Sequence, residues 1–185
     1  MSRADLTKLF TDSSTVSKIQ NKLPKLFRIA EKESSRAGKI GMEVGSLREK
    51  VISGLLIYKF GGENVDTDIP ITEPEIDAKV NDKNVSIKTI TGNGSVKANW
   101  TVDPKSSKKS IKNYKPKCDI ILVQTWWGKD KDSFFLIPLK VQEKIFGLLG
   151  RNKYLKMPKA GTNPRGVEFS REAIKKMLDL SLIHI

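Results

Sequence analysis

The chain has 185 residues, 38% of them hydrophobic and 30% charged, which suits one domain large enough to bury a core. Its 34 Lys and Arg against 21 Asp and Glu leave a net charge of +13, so a polyanion is the expected partner. Cys118 is the one cysteine, which excludes an internal disulfide framework, and no apolar run approaches the ~18 residues of a membrane helix.

Nucleic acid fits the charge better than a membrane surface, because the basic residues are spread along the chain and not along one amphipathic helix. The start, MSRADLTKLF, lacks the apolar centre of a signal peptide, so a cytoplasmic location is expected. His184 is the one histidine. Ser-His and Cys-His nucleophile pairs, Cys/His zinc sites and histidine-base nucleases are thereby disfavoured. Carboxylates, lysines and a hard metal such as Mg²⁺ remain.

Residues 14–36 carry apolar side chains at helical spacing (Val16, Ile19, Leu23, Leu26, Phe27, Ile29, Ala30), with Pro24 expected to kink or divide the helix. AGKIGMEVGS (37–46) reads as a glycine-rich loop that displays Met42. Ser46 and Glu49 form a capping-box pattern that opens a second helix, with Gly61-Gly62 closing it. The N-terminal helical part thus covers about residues 1–40 of a single domain at 1–179.

Ile76 and Ala78 alternate with Glu75, Asp77 and Lys79 as a half-buried strand, Asn81-Asp82-Lys83-Asn84 is a hairpin turn, and Val85, Ile87 and Thr89 continue the return strand. Residues 91–117 read as a polar, basic loop. DIILVQTW (119–126) reads as a buried central strand, Phe134 to Ile137 as its neighbour, and Val141 to Leu149 as a helix ending at Gly150. Residues 151–166 form a basic loop, Val167-Glu168-Phe169 a short strand, and Ser170 caps a last helix through Leu178. The fold expected is one α/β domain with a central mixed sheet flanked by helices. LSLIHI (180–185) back-translates as CTG TCT CTT ATA CAC ATC, the end of a transposon adaptor. The tail is expected to derive from that adaptor, with the natural chain continuing past Asp179, and it is left out of the functional reading.

Metal-assisted phosphodiester cleavage needs carboxylates to hold the ion and a lysine to stabilise the developing charge. A two-stranded turn brings Asp77 and Lys88 of Asp77-x8-Ser86-Ile87-Lys88 to one side of the sheet. By spacing alone, a solvated surface pair is the more ordinary reading.

At these residues the chain resembles the PD-(D/E)xK nuclease superfamily, and most of all the ThaI-type restriction endonucleases, which cut DNA at CGCG. GSLREKVISGLLIYKFG resembles the helix before the catalytic hairpin, SIKTITGNGSVKANWTVD the segment after the active-site lysine, and KCDIILVQTWWG and GTNPRGVEFS later strands. The likeness covers about residues 40–175. It implies a type II endonuclease acting on double-stranded DNA with Mg²⁺, a homodimer on a palindrome, and a partner methyltransferase.

Carried over, Asp77 would be the central metal ligand, Lys88 the catalytic lysine and the Ile87 carbonyl a further ligand. The family's second acid falls on Ser86, which cannot ligate as a carboxylate. Glu49 is the first substitute, with the capping box as its other role. Glu75, two residues before Asp77, is the second and Asp103 the third. Ser86 also leaves open a DNA-binding protein without catalysis, or a repair or recombination nuclease of the same superfamily. Thr162, Asn163 and Arg165 of GTNPRG are candidates to read base edges, Arg165 on guanine. Lys97, Lys105, Lys108, Lys109, Lys153, Lys156 and Lys159 are candidates for phosphate contact. Met42 is a candidate minor-groove wedge, with a core position as the other reading.

Overall fold

A computed structural model describes residues 6–36, 42–70, 73, 75–101, 103–126, 132–157, 166–181 and 183–184. Asp12 separates the first two helices, α1 (Lys8–Thr11) and α2 (Ser13–Arg36). Its carboxylate accepts the Thr15 N–H at 3.0 Å, satisfying a first-turn amide of α2. Ile19, Leu23, Phe27 and Ala30 repeat at three and four residues and form the buried stripe of α2. The helix runs through Pro24 without the division that the sequence allowed for. Pro24 removes one amide donor, but Gln20, whose carbonyl loses that partner, is exposed to water, while Leu23 and Phe27 on either side anchor the helix to the core.

α3 spans Met42–Phe60, so the capping box is a correction: Ser46 and Glu49 lie inside the helix. Val44 is 2% exposed. Burying a valine is worth ~1.5–3 kcal/mol, more than the ~1 kcal/mol that Gly45 costs in a helix interior, and the helix extends four residues past its apparent cap. At the other end Gly61, at φ +89°, stops it where the sequence indicated.

β1 (Val65–Asp66), β2 (Ala78–Val80) and β3 (Lys83–Thr91) follow. The β2–β3 turn is the pair Asn81-Asp82 alone, both at positive φ (44° and 64°), as a two-residue type I′ hairpin requires; Lys83 and Asn84, expected in the turn, open β3 and pair with β2. β4 (Lys97–Asn99) leads to α4 (Pro104–Asn113), a helix where a loop was expected. Asp103 caps α4 by accepting the Ser106 N–H at 2.7 Å, Pro104 sits in its first turn, and Asn99 reaches Ser110 Oγ at 2.7 Å. β5 (Asp119–Thr125), β6 (Ser133–Ile137), α5 (Leu139–Leu149), α6 (Arg151–Tyr154), β7 (Leu155–Lys156), β8 (Val167–Phe169), α7 (Arg171–Asp179) and β9 (Ile183–His184) complete the chain. The stretch 151–156, expected as loop, therefore contributes a helical turn and a strand.

The main sheet has the order β1-β2-β3-β5-β6-β9, with β3 and β5 parallel and the other neighbours antiparallel. A second sheet has the order β4-β8-β7. Both faces of the main sheet are covered. Val85, Ile87, Ile121 and Val123 pack with Ile19, Leu23, Phe27, Ile52 and Leu56 on the α1–α3 side. Ile90, Ile120 and Leu122 pack with Ile145, Tyr154, Phe169, Ala173 and Met177 on the α5–α7 side. Successive residues of β5 therefore point into opposite cores, which explains its unbroken apolar run.

Candidate active site

The β2–β3 hairpin brings together two of the candidate residues, Asp77 and Lys88. The Asp77 N–H donates to the Val85 carbonyl at 2.9 Å, extending the ladder one step beyond β2. Asp77 thus comes level with Ser86, Ile87 and Lys88. Its Oδ2 accepts the Ile87 N–H at 2.7 Å, the Ser86 hydroxyl at 3.1 Å and the Lys88 ammonium at 3.1 Å. All three bonds land on one oxygen, so among the described residues Oδ1 is the oxygen left for a cation. The Lys88 side chain is 11% exposed and that of Asp77 29%, a pair half-withdrawn from water but reachable from it.

Glu49 approaches from α3, which packs across β3. Burial pushes its carboxyl up to about 7, the negative charge of Asp77 adds to the rise, and Lys88 opposes it. Those influences place Glu49 in the electrostatic neighbourhood of both hairpin residues, as a strongly solvated capping carboxylate would not be.

Glu75 lies in a turn before β2 and not on a strand beside Asp77. It is buried, and burial pushes its carboxyl up to about 7, with Lys117 and then Lys88 opposing. With Ser86, Lys88, Tyr114, Lys117 and Cys118 it lines a small cavity of about 10 Å³. Burial, with the charge of Glu75 next, also pushes the Cys118 thiol up to about 12, so the one cysteine is a neutral packing residue. Asp103 is occupied as the α4 cap, and the backbone N–H of Ser106 holds its carboxyl below the ordinary range.

The donor set suits a small hard cation. Mg²⁺ takes one or two carboxylates and keeps several waters, and it does not need a full protein cage. Asp77 and Glu49, with the Ile87 carbonyl, are the residues that could hold it. No group of three or more Asp, Glu, Cys or His side chains converges as a metal cluster among the described residues.

The remaining candidates fall into three groups. Lys105, Lys108 and Lys109 are exposed along α4, and Lys153 is exposed on α6. Lys97 on β4 and Lys156 on β7 each approach Glu168 of β8 at 3.5 Å, and Lys97 also lies over the Trp100 ring at 5.2 Å. Lys159, Thr162, Asn163 and Arg165 lie outside the described residues, as does the side chain of Met42, which opens α3.

The family described as "Restriction endonuclease ThaI" matches residues 9–183. The chain belongs to the ThaI restriction endonuclease family. A solved structure described as "Restriction endonuclease in complex with substrate DNA" is similar to it at 51% identity, with a TM-score of 0.88 over 97% of this chain and 88% of the other. Nothing among the curated proteins matches the chain. As a ThaI-family member the protein is a type II, site-specific endonuclease, and the mixed sheet with helices on both faces is that of its solved neighbour. Among the described residues no helix is long and apolar enough to cross a membrane.

Sequence reasoning passed over two polar clusters. Arg48, 2% exposed, joins Glu31 and Thr91 inside the α2–α3–β3 junction. Glu168 stands between Lys97 and Lys156 in the second sheet. An arginine one residue from a candidate acid, on a helix this apolar, was the available signal for the first. The second depends on pairings between strands far apart in the chain and left no local pattern.

Proposed function

We propose that the protein cleaves double-stranded DNA at a short palindrome, CGCG by family resemblance, in a Mg²⁺-dependent reaction that leaves a 5′-phosphate. The observation that carries this reading is the convergence of the Ile87 N–H, Ser86 hydroxyl and Lys88 ammonium on Asp77 Oδ2 beside Glu49. Asp77 and Glu49 would hold the metal, with the Ile87 carbonyl as a neutral donor. A bound Mg²⁺ supplies Lewis-acid activation of the water and of the phosphate.

The chain's own groups set up the rest. Asp77 is oriented by the backbone amide of Ile87, so its free oxygen has a fixed direction. Ser86 cannot supply a carboxylate; it donates to Asp77 and leaves the second acid to α3. Lys88, held by Asp77 at 3.1 Å, keeps further ammonium protons to offer a phosphate oxygen or the entering oxygen as charge builds. Glu49 must lose its proton before it can serve as an anionic ligand, so metal binding weakens as pH falls below about 7.

Exposed lysines of α4 and α6 would contact phosphates, and a palindrome would be met by a homodimer, each subunit cutting one strand. Host DNA would be protected by a methyltransferase of matching specificity. Incubating the protein with plasmid and Mg²⁺, beside Asp77→Ala and Lys88→Ala, tests the reading. Discrete bands that both variants lose support it. A DNA shift without cutting by the unaltered protein would reduce the protein to a binder, and cutting that follows DNA structure and not sequence would make it a repair-type nuclease.

A further inference from the structure

The buried row of α3 is Val44, Arg48, Ile52 and Leu56, spaced four residues apart, while Ile57 and Tyr58 are 41% and 64% exposed. Apolar contact at three of those positions seats the helix on the core, and Arg48 adds the directional bonds that such contact lacks. The rotation of the helix aims Glu49. A turn of 10° displaces a carboxyl held ~6–7 Å from a helix axis by about 1 Å. Misplacement on that scale costs on the order of 10²-fold in rate.

Among the described residues of α3 one polar side chain, Arg48, is buried, at 2% exposed. Arg48 donates through Nη2 to Glu31 Oε1 of α2 at 2.5 Å and through Nη1 to Thr91 Oγ1 of β3 at 2.8 Å. Its fork thus spans two neighbours of α3, α2 and β3. Glu31 is itself steadied by Arg28, whose Nη1 lies 3.0 and 3.2 Å from the two carboxylate oxygens. Thr91 belongs to the strand that carries Lys88, three residues along. A buried ion pair contributes little net stability, because desolvation offsets its attraction; geometric definition is the better account of its presence.

We propose that Arg48 is a positioning residue: its fork to Glu31 and Thr91 locks the rotation of α3 and so aims Glu49 at the cation site made with Asp77. The proposal rests on the reading of Glu49 as the second acid. Partners that orient metal ligands are worth ~10–100-fold in metal affinity.

The test is calorimetric titration of Mn²⁺ into the full-length protein and into Thr91→Val, Arg48→Lys, Glu49→Gln and the double variant Thr91→Val/Glu49→Gln, with metal-free melting recorded alongside. Thr91→Val removes one prong of the fork at nearly constant shape and is expected to weaken Mn²⁺ binding about tenfold. Arg48→Lys, which cannot bridge both partners, shifts in the same direction. In the Glu49→Gln background Thr91→Val adds no further loss, because the residue being aimed is gone. A merely structural role would lower the melting temperature and leave Mn²⁺ affinity alone. Thr91→Val binding Mn²⁺ like the unaltered protein, or losing as much in the Glu49→Gln background, overturns the proposal. Should Glu49→Gln itself bind Mn²⁺ normally, the assignment of Glu49 fails first and the proposal falls with it.

Discussion

Stability without metal should fall as pH rises from about 5 to 7, and Glu49 should account for a share of that fall. The carboxyl of Glu49 stands at about 7 in the folded protein against an ordinary 4.5. Between those values the folded state holds a proton that the unfolded state has released. Unfolding free energy therefore declines with pH across this window and levels off above it, once both states are ionised. A displacement from 4.5 to about 7 corresponds to at most about 3 kcal/mol, reduced to the extent that water screens the half-buried group. Glu49→Gln keeps the shape and removes the charge. For a chain of this size, at ~2–4 °C per kcal/mol, the pH 5 to 8 drop in Tm should shrink by up to about 6–12 °C in the variant. Differential scanning calorimetry at both pH values, with and without Mg²⁺, measures it. Mg²⁺ should raise the Tm of the unaltered protein more at pH 8 than at pH 5, because binding requires the ionised carboxylates. An unchanged pH dependence in Glu49→Gln, or equal Mg²⁺ protection at both pH values, would refute the placement of this carboxyl in a buried, anionic site.

Glu168→Gln should steepen the salt dependence of DNA binding, since Lys97 and Lys156 lose the one carboxylate they share; the log-log slope should grow by up to about 1, read by anisotropy titration at several salt concentrations. Replacing Lys105, Lys108 and Lys109 together by Ala should flatten that slope by up to about 3 without altering melting by more than a few degrees, since all three are exposed on α4. Gly166→Ala should cost about 1–3 kcal/mol of stability in a denaturant titration, because the residue sits at φ +115° and a Cβ there would stand 2.6 Å from the Asn99 carbonyl oxygen.

The hairpin was legible because its determinants are local. Asn81-Asp82 tolerates positive φ, and a two-residue turn leaves one register in which Asp77 can face Lys88. The central strand at Asp119–Thr125, the helix at Leu139–Leu149 and the capped helix after Ser170 were legible for the same reason: period and cap lie within one short segment. Two of the longer helices, α3 and α4, were misread where distant contacts outweighed propensity. Val44 draws α3 past its apparent cap, and Asn99 and Thr101 bind Ser110 and Ser107 to hold a lysine-rich stretch as α4.

By itself, then, the chain's order of residues determined which chemistry was open to it. One histidine and one cysteine left carboxylates and lysine, and a short turn paired Asp77 with Lys88. Tertiary structure decides which carboxylate lies in the field of both. Glu49, Glu75 and Asp103 are equivalent acids on paper. Folding turns Asp103 into a helix cap, buries Glu75 against Lys117 and Lys88, and brings Glu49 from a helix packed across β3 into the field of Asp77. Such a choice depends on how helices seat on a sheet, and that is set by packing between segments far apart in the chain, which no local pattern encodes.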